Sequence, residues 1–361
     1  FQAEDGIRDS VASRGLGDVY KRQGYIVDRS QDYIWFIGLP FAAVAFALVS
    51  GHYLPGAALA AIALWVTIPH HFVTWLRVYG SPAEFARFRD RFVLGPLVLV
   101  GFVYALIHYA PLTLVLIVTL WDHQHSLMQQ YGFSRVYDFK ARAGAPSTAK
   151  FDLAFNWIFF VNMLVVSPLF SVIWVRMLHE WRVPVEAATV EAVHWVSWTV
   201  AIVYGLVYLG HVAWCARRGY ALNPLKYAFM FSSYFLWYFT SFSTAYLLVF
   251  AVAHRIMHGI QYIVMVYYYN RHKVERTGGD SALLRHVAGN LKAFLLICAA
   301  YAMVFHALTE GLVRDFGFGL VGFNTNFDLF SYSLLSSFAL IHYYYDAFIW
   351  KVRKKEVQEG L

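Results

Sequence analysis

Residues 242–269 read FSTAYLLVFAVAHRIMHGIQYIVMVYYY, an apolar run whose one charged side chain is Arg255. About 20 apolar residues are enough for a helix to cross the hydrocarbon core of a bilayer. His254 and His258 lie four residues apart in the run and therefore share one face of a helix. The run predicts a membrane-spanning helix that carries two imidazoles.

The rest of the chain has a similar composition. Of its 361 residues, 59% are hydrophobic and 14% are charged, whereas a soluble domain has about 25% charged residues. We therefore predict an all-α fold, a polytopic transmembrane helix bundle of about ten spans in a single membrane domain over residues 24–361. The predicted apolar blocks are 33–50, 55–76, 92–110, 111–131, 153–175, 194–214, 226–240, 242–269, 290–312 and 328–350.

The positive charges alternate along these blocks. Lys and Arg cluster after every second block, as in Arg87, Arg89 and Arg91. The other connections contain almost no Lys or Arg, or their positive charges are balanced by acidic residues. Cytoplasmic loops carry such an excess, so the pattern predicts that both termini are cytoplasmic. It also explains the net charge of +7 without a nucleic-acid partner. We expect an integral protein of the bacterial inner (plasma) membrane.

Residues 1–23, FQAEDGIRDSVASRGLGDVYKRQ, differ from the rest. The segment is polar and lacks the apolar core of a signal peptide. It resembles a translated sequencing-adapter artefact. We expect it to be non-native and exclude it from functional reasoning.

Histidines recur near the same end of every second block. Ligand-type residues inside a membrane usually face the bundle interior and mark a site, and neutral imidazole is the commonest metal ligand. The recurrence therefore predicts a buried metal centre. The histidines are His70, His71, His123, His125, His211, His254, His258 and His342.

Four local patterns refine this hypothesis. Pro69 precedes His70 and His71, and a proline inside a helix can kink it beside a site. The pair His254 and His258 suits two ligands from one helix, although two interior histidines bonded to neighbouring helices would look the same.

The segment Asp122-His123-Gln124-His125 places its two histidines on different helix faces, so we expect one to ligate and the other to support it. A polar helix end at the lipid interface is the alternative. His342 and Asp346 lie four apart and could ligate together or pair with each other, unless they belong to an interfacial aromatic belt. His211 alone is more typical of a structural histidine.

The donor types restrict the metal. Imidazoles with few carboxylates and no cysteine suit iron, copper or zinc. Open coordination positions in an apolar cavity would suit iron-dependent oxygen chemistry on a lipophilic substrate. A haem-binding electron carrier, a proton-coupled transporter and a structural membrane subunit are the alternatives.

The histidine segments together resemble the Brp/Blh family of membrane β-carotene 15,15'-dioxygenases. Pro69-His70 matches the family's first ligand segment, His123 or His125 the second, and His254 with His258 the HxxxH segment. The family's aspartate one turn after the first histidine is replaced by Thr74.

The resemblance implies non-haem Fe²⁺, O₂ and a carotenoid or isoprenoid substrate. It implies an oxygenase that binds its metal through His70, through His123 or His125, and through His254 and His258. With the local patterns, the metal candidates are His70, His71, His123, His125, His254 and His258. We expect His342, Asp122 and Asp346 to orient the ligands or donate protons.

Overall fold

The computed structural model describes residues 24–309, 325–352 and 354–361, and its regular elements within these ranges are all helices, with no strand. The predicted artefact segment 1–23 lies outside the described residues. The helices are α1 (Arg29–Tyr53), α2 (Gly56–Tyr79), α3 (Pro82–Arg87), α4 (Arg89–Tyr109), α5 (Pro111–Ala141), α6 (Thr148–Val166), α7 (Pro168–Glu180), α8 (Ala187–Arg217), α9 (Pro224–Ser243), α10 (Leu247–Thr277), α11 (Ala282–Gly289), α12 (Leu291–Thr309), α13 (Thr325–Ile349) and α14 (Lys355–Gln358).

Seven of the helices in the described ranges are long and apolar enough to cross a membrane: α1, α2, α4, α6, α8, α10 and α12. Their outward side chains are apolar as well. Leu97 and Val98 on α4 and Leu206 on α8 are each about two-thirds exposed. A water-soluble monomer rarely shows contiguous apolar surface of this kind. The chain is therefore an all-helical protein of the integral membrane class.

Two of the sequence boundaries need correction. The block 153–175, predicted as one span, is divided into α6 and α7 because Ser167 caps the amide of Phe170 and Pro168 starts the new helix. A proline has no amide proton to continue the preceding helix. The boundary predicted between the blocks 226–240 and 242–269 lies later, since α9 runs through Ser243 and α10 begins at Leu247.

The chain forms two compact units. Of the described residues, the first comprises 24–49 together with Gln130–Ala253, and α6 packs against α8 within it. Its interior holds a buried ion cluster in which Lys226 Nζ lies 3.0 Å from an oxygen of Asp138 and 3.2 Å from an oxygen of Asp152. Arg135 contacts both carboxylates as well. Two acids and two bases balance in charge, which buried ions require.

The second unit comprises Ser50–Gln129 and His254–Leu361. Here α2 packs against α12 and α13, and α4 packs against α13. Gly259 on α10 permits a close approach to α2, because a Cβ added there would lie 2.7 Å from Cγ1 of Val66. Small residues allow such approaches between membrane helices. This unit contains every residue of the histidine site described below.

Candidate metal centre

Helix α2 contributes two adjacent histidines. His70 and His71 are both 2% exposed. The two ring nitrogens of His70 have no hydrogen-bond partner among the described residues, and the same is true of Nδ1 of His71. Leaving a buried polar atom unpaired in an apolar interior costs about 1–3 kcal/mol. These nitrogens are therefore available to a ligand that protein groups do not supply.

Helix α10 contributes the pair four residues apart. The rings of His254 and His258 stack with centroids 5.5 Å apart and planes inclined by 11°. Nε2 of His254 lies 3.0 Å from the hydroxyl of Ser126. Both ring nitrogens of His258 lack a partner in the described part of the chain. Of the two, His258 is thus the one with free donor atoms.

Helices α5 and α13 bring in one histidine each. The Nε2 atoms of His125 and His342 are 3.2 Å apart, and both rings are buried. Two nitrogens bound side by side to one ion lie about 3.0–3.4 Å apart when the metal–nitrogen bonds are about 2.0–2.1 Å long. The distance also suits a hydrogen bond if one Nε2 carries a proton. In either case the two rings point at one spot.

The four helices converge on that spot. The ring centroid of His70 lies 4.4 Å from that of His342 and 4.6 Å from that of His258. The rings of His125 and His258 are 5.1 Å apart. Within the described residues, two sets of donor atoms each fall within 4.8 Å of one another, namely His70, His125 and His258, and His125, His342 and Asp346.

The donor set fits a transition-metal ion. Five partnerless nitrogens, on His70, His71 and His258, sit in a membrane protein's interior where water is scarce. Although the rings pack closely, these five nitrogens form no hydrogen bonds with one another. An ion that prefers nitrogen ligands would satisfy several of them at once.

A chain of hydroxyls leads away from His342. Its Nδ1 lies 2.8 Å from Oγ1 of Thr74, which lies 2.7 Å from the hydroxyl of Tyr262. That hydroxyl donates to Oδ1 of Asp346 at 2.7 Å and accepts from Nε1 of Trp350 at 3.0 Å. The second oxygen of Asp346 lies 3.9 Å from Nε2 of His342.

A second polar group supports His125. The Tyr343 ring stacks on His125 with centroids 4.8 Å apart, and its hydroxyl donates to Asp122 at 2.8 Å. Asp122 is in turn held by two hydrogen bonds from Arg255, at 2.8 and 2.6 Å. A fork-shaped pair of this kind fixes the geometry of both partners. Asp122 thus supports His125 through Tyr343, and it belongs to neither donor set found among the described residues.

The sequence candidates divide into three groups. The structure brings together His70, His125, His258, His342 and Asp346. His71 and His254 border the cluster, with ring centroids 4.9 Å from His342 and 5.5 Å from His258 respectively. His123 lies apart and its Nδ1 donates to the carbonyl of Thr119 at 2.7 Å. Between the two histidines of α5, His125 is the one that faces the cluster.

No role was predicted for Tyr262, Tyr343, Arg255 or Trp350. One signal was available for Tyr262, since it follows His258 by four residues and so continues the face of the pair. Another was available for Arg255, the one charged side chain of the apolar run 242–269. Tyr343 and Trp350 are identified only by contacts with distant segments. His211, in the first unit, stacks on Phe151 at 3.9 Å and contacts Thr148, as expected for a structural histidine.

Comparisons of the chain with protein-family models, with curated proteins and with solved structures find no match.

Proposed function

We propose that the chain is a membrane-embedded oxygenase whose buried histidines hold non-haem iron. The observation that carries the proposal is the convergence of imidazoles from α2, α5, α10 and α13 with several ring nitrogens that no described residue satisfies. Ligand-type residues inside a membrane are costly and are kept for function. Four separate helices must each position a ring for this arrangement to arise.

The donor types favour iron. A nitrogen-rich set with one carboxylate nearby and no cysteine suits iron, copper or zinc, and iron is the member that best supports O₂ chemistry on an unreactive hydrocarbon. Bound iron would supply the one-electron steps that O₂ activation requires. The resemblance of the histidine segments to the Brp/Blh dioxygenases supports the same choice.

The protein's own contribution is to position and to exclude water. His70, His125 and His258 would hold the metal, and His342, whose Nε2 lies 3.2 Å from that of His125, would add a fourth nitrogen. The apolar packing around the cluster would keep water from reactive species. The pair Asp122 and Arg255 keeps Tyr343 against His125 and so limits how that ring can turn.

A lipophilic substrate fits the surroundings. An apolar cleft of about 270 Å³ lies in the second unit and is lined by residues of α2, α10 and α12, including Pro69, Ile260 and Leu295. Pro69 directly precedes His70, and Ile260 lies two residues after His258. We infer that a carotenoid or another isoprenoid reaches the centre from the bilayer, with O₂ as the second substrate.

The spacing of the rings favours a bare ion over haem. A haem iron offers protein ligands two axial positions, one on each face of the macrocycle. Here the rings of His125, His258 and His342 all lie about 4.4–6.1 Å from His70. Three neighbours at this distance leave no slot for a flat macrocycle between facing rings.

The proposal includes a topology. We propose that α5, α9 and α13 are also embedded, since each coincides with a predicted apolar block, and that the chain has about ten spans. The alternation of Lys and Arg supports cytoplasmic termini. The bacterial inner membrane is the location we propose for such a protein.

Turnover tests the proposal. Protein in nanodiscs is loaded anaerobically with Fe²⁺, then given O₂ and β-carotene or other isoprenoids, and products are identified by mass spectrometry. We expect oxygenated or cleaved product from the wild type and from His123→Ala, and none from His258→Ala. Equal turnover by His258→Ala would refute the proposal. A Soret band in the purified protein would favour the haem carrier, and full tolerance of the histidine substitutions would favour a structural subunit.

A further inference from the structure

The hydroxyl chain behind His342 has a direction. The Tyr262 hydroxyl donates to Oδ1 of Asp346 at 2.7 Å, and an ionised carboxylate can only accept hydrogen bonds. The threonine hydroxyl has two acceptors in reach for its single proton, the Tyr262 oxygen at 2.7 Å and Oδ1 of Asp346 at 3.5 Å, and the shorter contact directs that proton at Tyr262. The threonine oxygen therefore accepts from His342, and Nδ1 of His342 carries a proton.

This direction decides the state of the other ring nitrogen. A neutral imidazole has one N–H and one lone pair. With the proton on Nδ1, the lone pair of His342 lies on Nε2, the atom that is 3.2 Å from Nε2 of His125. The lone pair thus faces the cluster.

We propose that Thr74 and Tyr262 are positioning residues that connect His342 to Asp346 and hold His342 in the tautomer that can bind metal. The inference rests on the metal centre proposed above and adds residues to it. Metal-bound histidines commonly donate their second N–H to a carboxylate, which fixes the ring and raises its basicity. Here two hydroxyls carry that link from one carboxylate to the ring.

The chain is well placed for this role. Thr74 and His342 are fully buried, and Tyr262 is 2% exposed. Trp350 donates a further hydrogen bond to the Tyr262 oxygen, and the Arg77 guanidinium lies over the Trp350 ring at 3.5 Å. The tyrosine hydroxyl is therefore held from several sides, and its proton is directed at Asp346.

Asp346 has two possible roles that the test must separate. Its Oδ2 lies 3.9 Å from Nε2 of His342, and a carboxylate oxygen of Asp346 belongs to a donor set with His125 and His342, so it could bind the ion directly. Its Oδ1 accepts the Tyr262 hydrogen bond. The proposal assigns Asp346 the second role, as the acceptor at the end of the chain.

The first experiment reads the tautomer without metal. Solid-state NMR of metal-free, ¹⁵N-histidine-labelled protein in lipid reports which nitrogen carries the proton, and the His342 signals are assigned by their loss in His342→Gln. We expect a protonated Nδ1 in the wild type and in Thr74→Ser, which keeps the hydroxyl. Thr74→Val keeps the shape without the hydroxyl and should lose this preference. A wild-type His342 protonated at Nε2 would overturn the proposal, whether or not the protein binds metal.

The second experiment measures Fe²⁺ and Co²⁺ affinity. Loss of an orienting partner typically lowers metal affinity about 10–100-fold, and we expect that loss in Thr74→Val and Tyr262→Phe, with recovery in Thr74→Ser. The double variant of Tyr262→Phe and Asp346→Asn should bind no more weakly than Asp346→Asn alone, because both act through one chain. Losses that multiply would instead assign Asp346 as a direct ligand and contradict the proposal. Absence of metal from the wild type would refute the proposed function, while the NMR result still decides this inference.

Discussion

Gly259 is the position where one added methyl group should disturb the proposed metal centre without removing a proposed ligand. In Gly259→Ala the new Cβ would lie 2.7 Å from Cγ1 of Val66, where ordinary contacts begin at 3.4 Å. The two helices must therefore separate by about 0.7 Å, or Val66 must leave its preferred rotamer, which costs about 0.5–1.5 kcal/mol. The same Cβ would contact His70 at 3.6 Å.

The expected magnitude combines two opposing effects. Overpacking a tight interior costs about 1–3 kcal/mol, whereas replacing glycine by alanine in a helix returns about 1 kcal/mol. We expect a net loss in the free energy of unfolding of up to about 2 kcal/mol. The site should suffer more, because ligand positions must hold within about 0.5 Å, so we expect Fe²⁺ affinity to fall at least about 10-fold, as when a supporting contact is lost.

The assay compares this variant with Gly101→Ala. Gly101 lies inside α4, and a Cβ there meets nothing within 4 Å among the described atoms. Thermal unfolding in detergent and Fe²⁺ titration are measured for both. The control should be as stable as the wild type or more so, with unchanged metal binding. If Gly259→Ala matched the control in both measurements, the tight approach of α2 and α10 at the site would be refuted.

Three further predictions concern other residues. His125→Ala should abolish stoichiometric metal binding, while His123→Ala should retain it, because His123 bonds to the backbone carbonyl of Thr119 and is in neither donor set. Elemental analysis of both variants checks this, and metal retained by His125→Ala but lost by His123→Ala would contradict it. Lys226→Met should lower the free energy of unfolding by about 3–5 kcal/mol, since it leaves two buried carboxylates with one base; a loss under about 1 kcal/mol in a detergent unfolding titration would contradict the ion cluster. Burial raises the pKa of Asp280, but hydrogen bonds from Ser81 and from the amide of residue 83 outweigh it and lower the pKa. The stability that Asp280 contributes is therefore present above its unfolded pKa and is lost as the pH falls through its folded pKa. Ser81→Ala should narrow the difference in unfolding free energy between neutral and acidic pH. An unchanged difference would argue against the contact between Ser81 and Asp280.

Much of the fold is predictable from hydropathy because the backbone polar groups of an apolar segment in lipid must bond to one another, which an α-helix achieves within the segment. Each predicted apolar block coincides with a helix or a pair of helices in the described ranges. The division at Ser167 and Pro168 was missed because an average over 20 residues hides a single proline. Capping chemistry would have revealed it, since a serine followed by proline is a typical helix start.

The candidate site is only partly predictable. The sequence identifies the helices that carry histidines and the shared face of His254 and His258, because those properties are local. It leaves open which of His123 and His125 turns inward, because that depends on how α5 is rotated against its neighbours.

The contacts that support the candidate site are harder to predict from the sequence. Thr74 and His342 are separated by 268 residues, and Asp122 and Arg255 by 133. No periodicity links residues so far apart, and hydrogen bonds between them exist only once the helices are packed. The chain of hydrogen bonds from His342 to Asp346 therefore cannot be predicted from the sequence alone.

The most direct test of the metal centre is elemental analysis of the purified protein. The wild type, His258→Ala and His123→Ala are compared after loading with Fe²⁺ and removal of excess metal, with folding checked by circular dichroism. We expect stoichiometric iron in the wild type and in His123→Ala, and its loss in His258→Ala. Folded wild-type protein without bound metal, or equal iron in all three proteins, would contradict it.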